Sequence, residues 1–234
     1  MSATAMDNVR SATPGQVRRS PSVPAHWPIR RHVAAAETTP AGPLHSVEVT
    51  VPAKTNLTLH VGPAHEEWGG RHALDTIYCA IGVNDVVTAT AKTPGSGFSL
   101  ELSGEHLGDL ASSGSDMRRN HAVLALFAIA RAAGREPDVA LHVDKHIPVG
   151  AGLGGGSADA AATLLAVNTL WGLHWPIERL RDIAATLGAD MPFCLEGGYA
   201  HGTGFGERII PLEDDSSCVQ TLRDRGFAGQ LLVG

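Results

Sequence analysis

The stretch Pro148-Val-Gly-Ala-Gly-Leu-Gly-Gly-Gly-Ser157 places five glycines between Gly150 and Gly156 and runs directly into the alanine-rich segment that follows. Residues without Cβ let successive backbone N–H groups crowd round an anion, and the start of a helix adds its partial positive charge. The chemistry this implies is phosphate binding. The Walker form of such a loop needs a lysine directly after its last glycine, and none follows here. Gly150, Gly152 and Gly155 match the dinucleotide form Gly-x-Gly-x-x-Gly, yet Lys145, His146 and Pro148 interrupt the apolar strand that form requires. The helix after the loop is followed by another helix, not by the second strand of a βαβ unit, which argues further against a dinucleotide fold. A flexible linker is disfavoured too, because no polar spacer separates the glycines from the helix.

Lysine is scarce. Of 18 basic residues only Lys54, Lys92 and Lys145 are lysines, so each is a candidate for a compact point charge aimed at one oxygen, which arginine supplies poorly. The net charge of -6, with no basic stripe, disfavours nucleic acid as a partner. No run of about 18 apolar residues is present, so no membrane span is expected. Cys79, Cys194 and Cys218 fit no metal-ligand spacing and read as reduced thiols of a cytoplasmic protein.

The elements that position these residues follow from patterning. Residues 1–45 hold six prolines and no period, and read as a disordered tail. The tail's arginines leave an organellar transit peptide as an alternative that the prolines disfavour. Val47, Val49 and Val51 alternate as a strand, and Leu57, Leu59 and Val61 alternate again after an interruption at Pro52-Ala53-Lys54. Leu74 to Ile81 and Val86 to Thr90 read as two strands with Asn84-Asp85 in the turn between them. Further strands are expected at 98–102 and 139–143, and helices at 119–133, 157–171 and 177–187, the last entered at Pro176 and left at Gly188. Strands mostly precede helices, so the class is α+β.

Four blocks together resemble the GHMP kinase family (galactokinase, homoserine kinase, mevalonate kinase and relatives). They are Val51-Pro-Ala-Lys-Thr-Asn-Leu-Thr-Leu59, the glycine loop through Ala161, Leu187-Gly-Ala-Asp-Met-Pro-Phe193, and Gly197-Gly-Tyr-Ala-His-Gly-Thr-Gly-Phe-Gly-Glu207. The resemblance is strongest to the branch acting on a cytidine diphosphate-linked methylerythritol, in the non-mevalonate route to isoprenoid precursors. It implies a ribosomal protein S5 domain 2-like fold over 46–212, with 213–234 as the start of a truncated C-terminal domain. It implies ATP and Mg2+, the latter without assignable ligands. Asp190 would be the catalytic base and Lys54 its neighbour. Lys145, Pro148, Gly150, Gly152, Gly154, Gly155, Gly156 and Ser157 would hold the nucleotide, and Asn56 and His72 would contact the substrate. Where the family carries a tyrosine that stacks on cytosine, this chain has Arg71.

Local readings stand beside these. Asp190 also suits the N-cap of a short helix with Pro192 in its first turn. Asp159 suits an acid placed in the first helical turn against the helix dipole as well as it suits adenosine or Mg2+. The alternatives in function are another GHMP kinase, such as one acting on homoserine, and an inactive nucleotide-binding fragment.

Overall fold

A computed structural model describes residues 44–105, 107, 117–213 and 216–225. The tail expected over 1–45 falls almost wholly outside these residues, as does much of the stretch 213–234 read as the start of a further domain.

Two long strands, β1 (Ser46–His65) and β2 (Arg71–Ala91), pair antiparallel along their whole length. The expected interruption at Pro52-Ala53-Lys54 and the expected turn at Asn84-Asp85 are one feature. Both strands run through it, and Pro52 pairs with Asn84 while Ala53 pairs with Ile81, so Gly82 and Val83 bulge out of β2. Bulges of this kind bend a strand and re-aim side chains. Asp85 is therefore not a turn residue but a fully buried one, opposite Val51.

Along its other edge β2 takes two partners. β4 (Val139–Lys145) pairs with Val86 to Ala91, and β5 (Tyr199–Thr203) pairs with Thr76 to Cys79. β3 (Ser99–Gly104) lies parallel to β4, and β6 (Arg208–Pro211) antiparallel to β5. The stretch of β2 between its two partners, around the bulge, has neither β4 nor β5 beside it. That gap opens towards the glycine loop.

The helices are α1 (His121–Ala133), α2 (Gly155–Leu170), α3 (Ile177–Leu187), α4 (Met191–Glu196) and α5 (Ser217–Asp224). The Asn120 side chain caps α1 by accepting from the Ala122 amide at 2.9 Å, and Gly134 ends it in the left-handed region. α2 is buried nearly all round because it lies between the β1–β2 ribbon and the helices α1 and α4. The core is the inner face of β1, β2 and β4 against Leu126, Ile129, Leu164 and Leu180. A smaller cluster of Tyr78, Ala80, Phe193, Ala200 and Ile209 fills the β5 end, with the Tyr78 and Phe193 rings stacked at 4.8 Å.

Within α1 the residues Val123, Leu126, Ile129 and Ala130 recur at helical spacing and face inward, while Leu124 is 36% exposed. Leu126→Ala is expected to lower stability by about 2–5 kcal/mol, and Leu124→Ala by no more than about 0.5 kcal/mol, in urea unfolding followed by circular dichroism.

Candidate functional site

The bulge between β1 and β2 places two functional side chains on consecutive parts of the ribbon. Lys54 leaves β1 immediately after it, and its ammonium forms an ion pair with Asp190 Oδ2 at 3.0 Å and donates to Asn56 Oδ1 at 2.9 Å. Asn56 in turn donates to Thr76 Oγ1 at 2.7 Å, which donates to the Thr58 carbonyl. The other oxygen of Asp190, Oδ1, accepts from the Tyr78 hydroxyl at 3.0 Å. Burial first, and the Asp190 charge second, push the Tyr78 phenol far above its ordinary value, so it stays a donor. Lys54, Asn56 and Asp190 thus form one connected set, and Tyr78 is a member that the sequence did not single out.

Asp190 stands at the N-cap position of α4 but its side chain caps nothing. The local reading of this residue as a helix cap is corrected: its carboxylate faces Lys54 and Tyr78. About a third of the Asp190 side chain remains accessible, which leaves lone pairs free for an incoming hydroxyl.

The glycine loop lies beside this set. The Lys54 amide donates to the Leu153 carbonyl at 2.9 Å, and Leu153 itself is buried. A Cβ on Gly154 would come within 2.8 Å of the Lys54 side-chain stem, and Gly154 has φ of 70°. A Cβ on Gly155 would meet Lys145 Nζ at 3.2 Å and Ile147 at 3.1 Å, and one on Gly156 would meet His121 Nδ1 at 2.4 Å. Three successive glycines therefore make room for three different polar side chains. The loop forms one wall of a cavity of about 290 Å³, with Arg119, Asn120 and His121 at the start of α1 on the other side. Lys145, Pro148, Gly150, Gly152, Gly154, Gly155 and Gly156 line this cavity. Ser157, half-buried in the first turn of α2, is not among its lining residues.

Lys145 sits beneath the loop, fully buried, between two carboxylates. It donates to Asp85 Oδ2 at 2.5 Å and to Asp159 Oδ2 at 2.8 Å. Asp85 also accepts at Oδ1 from the amides of His146, at 2.6 Å, and Ile147, at 2.8 Å. Asp159 Oδ1 is buried without a partner. The expectation that Asp159 complements the dipole from the first turn is corrected, since α2 begins at Gly155 and Asp159 is buried one turn further on against Lys145. Desolvation alone would lower the Lys145 pKa, but Asp159 and Asp85 outweigh it and hold the ammonium above its ordinary value. Burial drives Asp159 the other way for an acid, upward, with Lys145 opposing and Asp85 adding to the rise.

His72 lies apart from these groups, exposed near the far end of the β1–β2 ribbon. Its Nδ1 donates to the Gly62 carbonyl at 2.8 Å, so a neutral ring presents Nε2 as an acceptor. Beside it the Arg71 guanidinium lies over the Phe205 ring at 4.4 Å, and Trp68 lies 6.0 Å from the same ring. Phe205 was not singled out from sequence. Its loop reaches back to the acid: a Cβ on Gly206 would come within 2.8 Å of the Tyr78 hydroxyl. Among the described residues no group of three His, Cys, Asp or Glu side chains is arranged to hold a metal ion.

An antiparallel ribbon with a glycine loop leading into a buried helix, and a lysine–aspartate pair beside it, has the architecture of the N-terminal domain of a small-molecule kinase family. Residues 120–198 match the family model described as the GHMP kinases N terminal domain, and the chain carries that domain. Its relatives include 4-diphosphocytidyl-2-C-methyl-D-erythritol kinase of Bifidobacterium adolescentis, 74% identical over 82% of this chain and 62% of that protein. The protein of the same name from Mycobacterium tuberculosis (strain ATCC 25177 / H37Ra) is 46% identical over 71% of this chain and 50% of its own length. A crystal structure of 4-(cytidine 5'-diphospho)-2C-methyl-D-erythritol kinase superposes with a TM-score of 0.55 at 37% identity, covering 70% of this chain and 55% of that one. Homoserine kinase from Cytophaga hutchinsonii shares the fold at a TM-score of 0.57 and 19% identity, over 75% of this chain and 54% of that one. The chain thus spans 62% or less of the length of these relatives.

The Asp159 carboxyl sets a pH dependence. A buried acid with a raised pKa binds more protons folded than unfolded, so its contribution to stability falls as pH rises from the ordinary carboxylate range towards about 7. Lys145 adds no slope there, because a raised lysine pKa matters only above its own ordinary range. Asp159→Asn is therefore expected to gain on the wild type by up to about 1.4 kcal/mol per pH unit across that interval, measured by urea unfolding at several pH values. A flat difference across that interval would mean that Lys145 keeps Asp159 ionised throughout.

Proposed function

We propose that the chain is the ATP-binding part of a kinase that phosphorylates the 2-hydroxyl of 4-diphosphocytidyl-2-C-methyl-D-erythritol, an isoprenoid precursor. The observation carrying this reading is the Lys54–Asp190 ion pair held against the glycine loop through the Lys54 amide and the Gly154 contact. Relatives of that name at 74–75% identity supply the substrate.

Phosphoryl transfer to an alcohol passes through a loose transition state, so the protein's task is mainly positioning and charge stabilisation. The loop from Pro148 to Gly156 and the start of α2 hold the polyphosphate through backbone N–H groups. Asp190 accepts a hydrogen bond from the substrate hydroxyl. As the hydroxyl oxygen bonds to the γ-phosphorus and the bond to the β-phosphate oxygen breaks, its proton passes to Asp190 and ADP leaves. The Lys54 cation, 3.0 Å from Asp190 Oδ2, faces the incoming phosphoryl charge. Tyr78 and Asn56 fix the orientation of Asp190 and Lys54. Lys145 acts from beneath the loop, where it bears on the nucleotide through Gly155.

Among the described residues none form a protein-only metal centre, and the one acid they place in the cavity lining, Asp159, is engaged by Lys145. Mg2+ in such reactions rides on the phosphates with water, so no step is drawn through protein ligands. At the far end, His72 Nε2 is an acceptor for the exocyclic amine of cytosine, and Arg71 and Phe205 present planar faces for the ring. A cytoplasmic location goes with this reading; among the described residues no helix is long and apolar enough to cross a membrane.

Incubating the chain with ATP, Mg2+ and 4-diphosphocytidyl-2-C-methyl-D-erythritol should yield ADP and phosphorylated product together. Asp190→Asn should lower kcat by on the order of a hundredfold or more with little change in ATP affinity, and Lys54→Ala likewise. His72→Ala should raise KM for the cytidine substrate alone. Near-normal rates in both Asp190→Asn and Lys54→Ala would sink the assignment, and ATP binding without any product would favour an inactive nucleotide-binding fragment.

A further inference from the structure

We infer that Asp85 is the positioning residue of the phosphate loop, clamping its first residues so that the backbone N–H groups downstream are set for the nucleotide before it arrives. The inference rests on reading the loop as the nucleotide site.

β4 leaves the sheet just before the loop begins. Its last pairing with β2 is Asp144 opposite Val86, and from His146 onward no strand continues the ladder. The amides of His146 and Ile147 would then be orphans next to the buried Ile147 and Lys145, a costly arrangement for backbone N–H groups. Asp85 is the next residue of β2 in line, and its Oδ1 accepts both amides. The side chain does what a strand carbonyl would have done, with a charge added. Its Oδ2 grips Lys145, whose ammonium lies under Gly155 at the start of α2. One carboxylate thus fixes the loop's entrance directly and its exit through Lys145.

The remaining anchor is the hydrogen bond from the Lys54 amide to the Leu153 carbonyl. Between the two anchors lie Val149 to Gly152, exposed and with Gly150 and Gly152 in the left-handed region at φ of 79° and 75°. This short span lines the cavity, and on this inference its amides meet the phosphates there. Asp85 has no exposed surface and cannot touch a ligand, so its action is through the loop alone.

Two substitutions separate its contributions. Asp85→Asn keeps an acceptor for the amides but cannot pair with the ammonium; Asp85→Ala removes both. The control is Asp138→Asn, whose carboxylate accepts from Gly95 and Gly97 in a turn away from the loop. On the whole chain, amide hydrogen exchange across residues 146–156 should accelerate in Asp85→Asn and more so in Asp85→Ala. The ATP dissociation constant should rise by about tenfold or more in both, the scale expected when a positioned group is misplaced. Asp138→Asn should lower the melting temperature without either effect.

A lowered melting temperature with unchanged exchange across 146–156 would overturn the clamp. Faster exchange with unchanged ATP affinity would overturn its role in preparing the site. Should Asp85→Ala fail to fold, Asp85→Asn carries the same comparison. Absence of ATP binding by the wild type would remove the nucleotide reading, while the exchange data would still decide whether Asp85 holds the loop.

Discussion

One ammonium shared between two buried carboxylates is the constraint around which this domain is arranged. Lys145 comes from β4, Asp85 from β2 and Asp159 from α2, and their contacts tie three elements together at the point where the glycine loop begins. Removing such ions from water costs several kcal/mol each, and attraction offsets this only when the remaining donors and acceptors are also satisfied. Asp85 meets that condition with three donors. Asp159 does not, having one donor and one orphaned oxygen, so the excess negative charge of the cluster falls on it. The asymmetry assigns the roles. Asp85 is a fixed anchor, and Asp159 is the member that can take up a proton.

The glycines have a meaning beyond freedom of backbone rotation. Access of N–H groups to an anion would require glycine at the exposed part of the loop, around Gly150 and Gly152. Gly154, Gly155 and Gly156 are constrained instead by what lies behind them: the stem of Lys54, the ammonium of Lys145 and the imidazole of His121. The loop is consequently packed on its inner side as tightly as a core, although its outer side is open. That packing couples the two halves of the site. The lysine that pairs with Asp190 cannot shift without pressing on the glycine loop.

Much of the architecture was legible because it is written in local pattern. Val47, Val49 and Val51 alternate, α1 carries its inward residues at helical spacing between Asn120 and Gly134, and α3 runs over the residues expected of it. The glycine loop and Lys54 stood out by composition. Asp85, Tyr78 and Phe205 did not, because their roles arise from pairings between distant parts of the chain. Tyr78 meets Asp190 across 112 positions, and Asp85 meets Lys145 across 60. Asn84-Asp85 has the composition of a turn, and tertiary pairing with β1 overrode it. A pair of interruptions at matching places in two neighbouring alternating segments was the one available hint of a shared bulge.

Asp190 illustrates how chemistry can separate two readings that propensity leaves level. An N-cap carboxylate acts by accepting from the amide of the second or third helical residue. In α4 the second residue is Pro192, which has no amide hydrogen, so half of the capping opportunity is absent from the start. The helix is only six residues long, and a cap would stabilise little of it. Lys54 and Tyr78 offer the same carboxylate a cation and a hydroxyl donor in a partly buried setting, where charge-assisted hydrogen bonds are stronger than an exposed cap. The residue is thereby held at the end of a helix without serving it. Its carboxylate turns to Lys54 and Tyr78 because the helix it begins asks nothing of it.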